Sequence, residues 1–456
     1  MGINDELTPE ESSRITIAAA TARPMTSGTA AGPTTTNLPT PDGPTRPVSA
    51  RFIVTMMLAN FGSSMAFIVP LSYSLALRIQ ELVPGHEEVL GYATGLAQAV
   101  FILTAPLIGI WSDRTRSRLG RRRPFMLGGI VFGLVGLLVI SVAPSVPVLI
   151  IGWIIAMFGW ANVGAAIMFL QADLVPEQQR GKISGLTGLT AQVAPILGIG
   201  IVYAVVDIST VLVFLLPGVV GAVTVLAFVL LGKDPDSRGM ALPDDRISLK
   251  KVFSSYAFNP RKYPDFGWNW LGRFTFFIGL YFNTSFATFF YAQRLGLPVS
   301  EIAGAVTVIG LLGVVAAVVG ALGGGWVCDQ LGRRKLFVLI GALLFAVGAV
   351  IEATAFSFPQ LVIGAVIMNL ALAAFGAVDQ AIVLAILPDR SEAGRYMSVV
   401  SFAQKLPSAI APLLAPAIIA IGAVDGVKNY TLLYLVGGVF ALLGGSIILT
   451  KVKGIR

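Results

Sequence analysis

The chain has 456 residues, of which 55% are hydrophobic and 12% charged, and a net charge of +8; its mean hydropathy is +0.81. An ordinary soluble domain carries about 25% charged residues, so the composition argues against a soluble globule and puts most of the chain in lipid. The cations sit in loops between apolar runs, a pattern that sets membrane orientation and does not point to nucleic acid. One cysteine, Cys328, and one histidine, His86, leave no disulfide framework and no thiolate or imidazole cluster for a metal.

Residues 1–47 are rich in Thr, Pro, Ala, Gly and Ser and hold no apolar core of signal-peptide length beside a small-residue cleavage site. They read as a disordered cytoplasmic tail that cannot bury enough apolar surface to fold. A spanning helix needs about 20 mostly apolar residues. By that measure the sequence predicts helices at about 50–78, 89–111, 125–144, 147–171, 183–206 and 211–231. A polar connector at 232–264 follows, then helices at about 266–292, 300–326, 336–356, 360–387, 396–421 and 430–451. The fold class is an all-α membrane protein of twelve transmembrane helices in two six-helix halves, 48–231 and 265–456. Pro70, Pro106, Pro195, Pro217 and Pro407 fall inside the runs, where neighbouring helices can re-satisfy the freed backbone groups.

Twelve crossings put both termini on one side, and the cations say which. Of the 32 Lys and Arg, 27 fall on the side of the termini, three (Arg78, Arg294, Lys428) on the other, and two (Arg273, Lys405) inside runs. The bias predicts cytoplasmic termini and a multi-pass protein of the plasma (inner) membrane.

A dense basic loop after the second run, Gly109 to Pro124, contains Asp113, Arg114, Leu119, Gly120, Arg121 and Arg122. A shorter version after the eighth run contains Gly325, Asp329, Leu331, Gly332, Arg333, Arg334 and Lys335. Leu119-Gly120-Arg121-Arg122 recurs as Leu331-Gly332-Arg333-Arg334 at an offset of 212. Pro176 recurs as Pro388, and Ala191, Gln192 and Pro195 recur as Ala403, Gln404 and Pro407, at the same offset. The halves are therefore parallel six-helix repeats, a transporter plan in which an axis along the membrane normal relates the two.

Two such halves, a long connector and the doubled Gly-x-x-x-Asp…Gly-Arg-(Arg/Lys) motif resemble the major facilitator superfamily over about residues 50–451. The first copy, in which Thr115 to Arg118 separate Asp113-Arg114 from Leu119-Gly120, is similar to the sucrose and glycoside-pentoside-hexuronide branches; the second carries Gln330 where the family commonly has arginine. The resemblance implies alternating access, with the aspartates equivalent to Asp113 and Asp329 holding the cytoplasmic side shut against a helix of the other half. A carboxylate at a helix N-terminus is stabilised by ~0.3–1 kcal/mol. By pseudo-symmetry Asp113 is expected to face the helix start near Met397-Ser398, and Asp329 the one near Ile183-Ser184. Gly109, Arg114, Gly120, Arg121, Arg122, Gly325, Gly332, Arg333 and Arg334 are gating candidates with them; for the arginines, topology determination is the competing reading, and for the aspartates a plain turn or cap.

Ionisable groups deep in spans usually face a cavity or a partner. Arg273, Asp379 and Lys405 lie on the predicted seventh, tenth and eleventh spans, roughly 12–14 Å from the cytoplasmic end at 1.5 Å per residue. They read either as a standing ion-pair network or as a coupling site. Glu352 and Asp207 are expected at the interface near outer ends, and Asp173 with Arg180 in the loop machinery. Asn60 on the first span, Trp160 and Asn162 on the fourth, and the repeat-matched Gln192 and Gln404 are substrate candidates, although Trp and Asn also bridge helices in bundles.

The sequence thus reads as a secondary transporter of a small solute, a sugar or glycoside, with proton or sodium coupling, working as a monomer in the lipid bilayer. No cofactor and no nucleic acid are expected. No Gly-x4-Gly-Lys-Ser/Thr loop for ATP is present, and no Ser/His/Asp, metal or paired-carboxylate set marks an enzyme. Proton-coupled drug efflux, or a sensor that keeps the fold without transport, are the alternatives; a sensor would need an output domain that neither tail supplies.

Overall fold

The computed structural model describes residues 47–232, 236–239, 258–389, 392–423 and 426–454, without the side chains of 329, 331, 393 and 394. The expected tail, most of the connector and the side chain of Asp329 therefore lie outside the described residues. Helix α1 runs Ala50–Leu82, α2 Glu88–Arg114, α3 Arg123–Ser141, α4 Val146–Leu174, α5 Glu177–Tyr203 and α6 Thr210–Leu231. The second half holds α7 Pro264–Ser285, its short continuation α8 Ala287–Leu295, α9 Ala303–Leu331, α10 Arg334–Ala353, α11 Phe358–Ala385, α12 Ala393–Ala420 and α13 Tyr430–Lys451. With α7 and α8 taken as one crossing, these make twelve crossings in two halves of six. The described ends of the chain share one face of the bundle, called the terminal face below; the opposite one is the distal face.

Eleven crossings are long and apolar enough to span a membrane on composition alone. The exception is the seventh, whose helix α7 carries Asn269, Arg273 and Asn283, all buried. Bundle neighbours, not lipid, must solvate those groups. Pro106, Pro195, Pro217 and Pro407 all sit inside helices as expected, and Pro70 opens a π-helical turn, Pro70–Ser74, within α1. Helix α1 continues past the expected residue 78 because its last turns find polar partners: Arg78 pairs with Glu81 at 2.9 Å and donates to Ala143 O at 3.0 Å.

The repeat extends into the packing. Gly129, Gly136 and Gly152 in α3 and α4 recur as Gly341, Gly348 and Gly364 in α10 and α11, at the same offset of 212. A Cβ on Gly136 would lie 2.2 Å from Ala156 N, and one on Gly348 would lie 2.9 Å from Gly364 O. Helices pack this closely in lipid through small residues, because van der Waals contact and not water exclusion holds them. The motif glycines repeat for another reason. Gly120 and Gly332 have φ of +83° and +61°, and in that left-handed region only glycine turns the chain without strain. Each returns the chain into the next helix, and Gly332 is the C-cap of α9.

Glu352 corrects the expectation of an interfacial residue. It is 1% exposed, and Tyr291 donates its hydroxyl to it at 3.5 Å. Depth along a helix did not show that the side chain turns inward, toward α8.

Candidate functional site

A cavity of about 520 Å³ lies between the halves. From the first half come Phe67, Leu71 and Ser72 of α1, Thr94 and Gln98 of α2, and Trp153 and Met157 of α4. From the second come Tyr281, Thr284 and Ser285 of α7, and Ser401, Gln404, Lys405, Ser408 and Pro412 of α12. Phe67 stacks on Trp153 with ring centroids 6.1 Å apart and planes within 7°. The hydroxyls of Ser72, Thr94, Thr284, Ser401 and Ser408 each donate to a carbonyl of their own helix at 2.6–3.0 Å. Their proton is spent there, and their lone pairs remain for a donor in the cavity.

The halves meet at the distal face. Tyr73 donates its hydroxyl to Val299 O at 2.9 Å, and Val299 N donates to Gln80 Oε1 at 3.2 Å. Thr288 donates to Ser72 O. Lys428 pairs with Glu88 at 3.3 Å, and Glu88 also meets His86 at 2.8 Å. Beside them, burial raises the carboxyl of Glu87, in the loop before α2, while Lys428 pulls it the other way. Below this polar layer α2 packs on α12 so closely that a Cβ on Gly91 would sit 2.2 Å from Pro412 O.

At the terminal face the first basic loop forms a network within its own half. Arg122, 6% exposed at its side chain, pairs with Asp113 at 2.6 Å and with Asp173 at 3.2 Å. It also donates to Ser112 Oγ at 2.9 Å, and its guanidinium lies 4.9 Å from the Phe169 ring centroid. Arg121 pairs with Asp173 at 2.7 Å. One buried arginine thus ties the end of α2, the loop, the start of α3 and the end of α4. Arg180 donates instead to Val175 O at 3.2 Å. In the second loop Lys335 donates to Val452 O at 2.9 Å, Gly325 lies in α9, and Arg333 is exposed at the entry to α10, which Arg334 begins.

The helices expected to receive the two aspartates start earlier than their apolar runs. They begin at Glu177 and Ala393, so Ile183-Ser184 and Met397-Ser398 lie in second turns, past the free N–H groups of a helix end. Polar residues Gln178, Gln179 and Arg180 fill the first turn of α5 and hide it from a hydropathy reading.

Of the expected substrate residues, Gln404 and Lys405 line the cavity. Asn60 is taken up by α5, donating to Thr187 O at 3.0 Å and Thr190 Oγ1 at 2.8 Å. Trp160 is 1% exposed and packs where a Cβ on Gly133 would touch its indole. Asn162 donates to Phe158 O and borders a separate apolar cleft between α2, α3 and α4. Gln192 is exposed on α5 and is not among the cavity residues. Arg273 and Asp379 meet each other in a buried ion pair between α7 and α11, while Lys405 stands apart in the cavity. Sequence reasoning missed Trp153, one heptad before Trp160 on the same face of α4, and Gln98; both are polar-tipped groups inside apolar runs, which was the available signal.

Asp113→Asn is expected to leave Arg122 held by Asp173, and so to leave expression intact. Because the Asp113 side chain is 51% exposed, the lost contact is worth about 1 kcal/mol or less, a change in rate of about fivefold at most. Alkylation of a cysteine at Ser401, compared in the two proteins, checks this; an unchanged rate removes Asp113 from gating.

Comparison with known families and structures agrees with this architecture. A family model for the Major Facilitator Superfamily matches residues 50–324 and 314–453. A comparison with curated proteins finds no match. Among solved structures, the nucleoside transporter NupG superposes with a TM-score of 0.70 at 11% identity, over 88% of this chain and 99% of that one. The xylose transporter XylE from E. coli gives 0.64 at 14%, over 89% and 98%. The human organic anion transporter MFSD10 gives 0.62 at 15%, over 88% and 100%. Two packed repeats of six crossings around a central cavity, with the family model spanning both, make this chain a member of the major facilitator superfamily.

Proposed function

We propose that the protein is a secondary transporter that carries a small polar solute, a sugar or glycoside, across the plasma membrane by alternating access, with both termini in the cytoplasm. The observation that carries this reading is the cavity between the halves, closed by the distal contacts. Its Phe67, backed by the buried Trp153 it stacks on, offers an apolar face to a sugar ring, and its glutamines and hydroxyl oxygens offer acceptors to sugar hydroxyls. This conformation closes the distal side, so the solute exchanges with the terminal side. Among the described residues no carboxylate lines the cavity, which gives a coupling proton or sodium ion no acid to occupy there.

Uptake of a labelled panel of sugars and sugar acids into proteoliposomes, empty or preloaded with the same compound and with and without a proton gradient, tests the proposal. Uptake of at least one sugar is expected, and failure of the whole panel removes the sugar reading. Orientation is tested separately. A reporter fused after Asp236 is expected to score cytoplasmic and one inserted near His86 external; opposite scores overturn the placement of the termini.

A further inference from the structure

Among the described residues, Lys405 is the one charged residue lining the cavity, and no carboxylate pairs with it. The acid at similar depth, Asp379, is already bound by Arg273, and Glu352 is buried against Tyr291. The hydroxyls of Ser72, Thr94, Thr284, Ser401 and Ser408 have given their protons to backbone carbonyls. The site therefore presents a full positive charge that no carboxylate among the described residues offsets.

We infer that the transported solute carries an anionic group, a carboxylate or a phosphate, with Lys405 as its counter-charge, and that this pairing makes the protein an exchanger of anions. The inference rests on the carrier reading above and adds the charge of the cargo and the mode of transport. While the cavity is open, water solvates the ammonium. Alternating access requires an intermediate in which both sides are shut, and there an unpaired charge bears its full desolvation cost. A bound anion removes that cost, so the loaded carrier crosses readily. The empty carrier must cross with a bare ammonium and does so slowly. A protein that returns quickly only when loaded swaps one anion for another and moves little net cargo.

The test uses the full-length protein and compounds of one scaffold. Thermal stabilisation of the purified protein is measured with D-glucose, D-glucuronate and D-glucose 6-phosphate, and with benzyl alcohol and benzoate for an aromatic scaffold. At least one acid is expected to stabilise more than its neutral counterpart, and which acid does so separates carboxylate from phosphate. Lys405→Met is expected to weaken binding of that acid by about 30-fold or more, the usual loss when one partner of a buried charge pair is truncated, while Lys405→Arg retains it. Labelled acid is then followed into proteoliposomes that are empty or preloaded with the same acid; preloading is expected to speed uptake at least about tenfold, since each 1.4 kcal/mol of lost pairing is a factor of ten. The inference falls if no acid stabilises the protein, if Lys405→Met binds the acid as well as the wild type does, or if empty liposomes fill as fast as preloaded ones. Uptake of a neutral sugar that is indifferent to Lys405→Met overturns the anion assignment and leaves the carrier reading standing. Binding of an acid with no movement across the membrane overturns both.

Discussion

Asp379→Asn is expected to cost the protein most of its folded yield, and Arg273→Met in the same chain to restore it. Asp379 is 1% exposed and Arg273 9%. They bind each other between α7 and α11, and the guanidinium carbon lies 5.5 Å from the Phe277 ring centroid. Neither Asp379 Oδ1 nor Arg273 Nε has another hydrogen-bond partner among the described residues, so the pair depends on its own contact. Removing one member of a buried pair leaves an uncompensated charge and costs about 3–5 kcal/mol, a large share of the roughly 5–15 kcal/mol that holds a typical domain folded. With Arg273→Met as well, no buried charge is left uncompensated: a neutral amide sits against a methionine beside the Phe276–Phe375 stack, whose centroids are 3.7 Å apart. Lys405→Met is not expected to rescue Asp379→Asn, because Lys405 belongs to the cavity. Fluorescence size-exclusion profiles and melting temperatures of the four proteins check this. A stable Asp379→Asn protein that exchanges solute but no longer accumulates it would make Asp379 a coupling residue instead.

The sequence made the axial layout of this molecule legible, and it did so through lipid. A bilayer of fixed thickness converts apolar length into helix count, and the charge bias checks the count, so α13 begins and ends where its apolar run does, at Tyr430 and Lys451. The same logic gave Arg273 and Asp379 a common depth, and the structure brings them together. What it could not supply was the angle around each helix. In spans apolar on every side there is no polar stripe to mark a lipid face, and α4 has none from Val146 to Ala161, where every residue is apolar or glycine. Hence Trp160 and Trp153, on one face of α4 and two turns apart, were not separable as packing and cavity residues. For the same reason Lys405 shared a height with Arg273 without sharing its partner, and Glu352 looked interfacial while turning inward to Tyr291.

The terminal loops were read more fully because their residues are chosen for backbone and charge. Gly120 and Gly332 are legible as glycines that turn a chain, and their positive φ explains why they recur at the same offset as the arginines beside them. The bonding of Arg122 to Asp113 and Asp173 was not legible. Asp173 lies 51 residues from Arg122 at the end of a different helix, and only the folding of α3 back on α4 joins them.

Gly91→Val is expected to abolish transport while leaving the protein folded, by holding the distal side open. A Cβ on Gly91 would lie 2.2 Å from Pro412 O and 3.0 Å from Phe286 Cζ. The first is a backbone atom that cannot swing aside. Gly95 repeats the problem one turn on, 2.5 Å from Leu413 Cγ and 2.9 Å from Ala409 O. These contacts join α2 of the first half to α12 of the second, so the clash exists only while the distal face is closed. An overpacked core has no such escape and loses about 1–3 kcal/mol of stability. Here the halves can part as bodies, and the same energy becomes a shift of population toward the form open at the distal face, on the order of 100-fold for about 3 kcal/mol. Gly136→Val is the matched control. Its Cβ would lie 2.2 Å from Ala156 N, but α3 and α4 belong to one half, and no rocking of the halves separates them. Gly136→Val is therefore expected to lower the melting temperature, and Gly91→Val to change it little. A cysteine at Ser72, beneath the distal contacts, is expected to react with an impermeant maleimide added from the distal side in Gly91→Val and to stay protected in the wild type. If Gly91→Val instead melts like Gly136→Val and Ser72→Cys stays protected, the distal face is a permanent seam and the halves do not move as two bodies there.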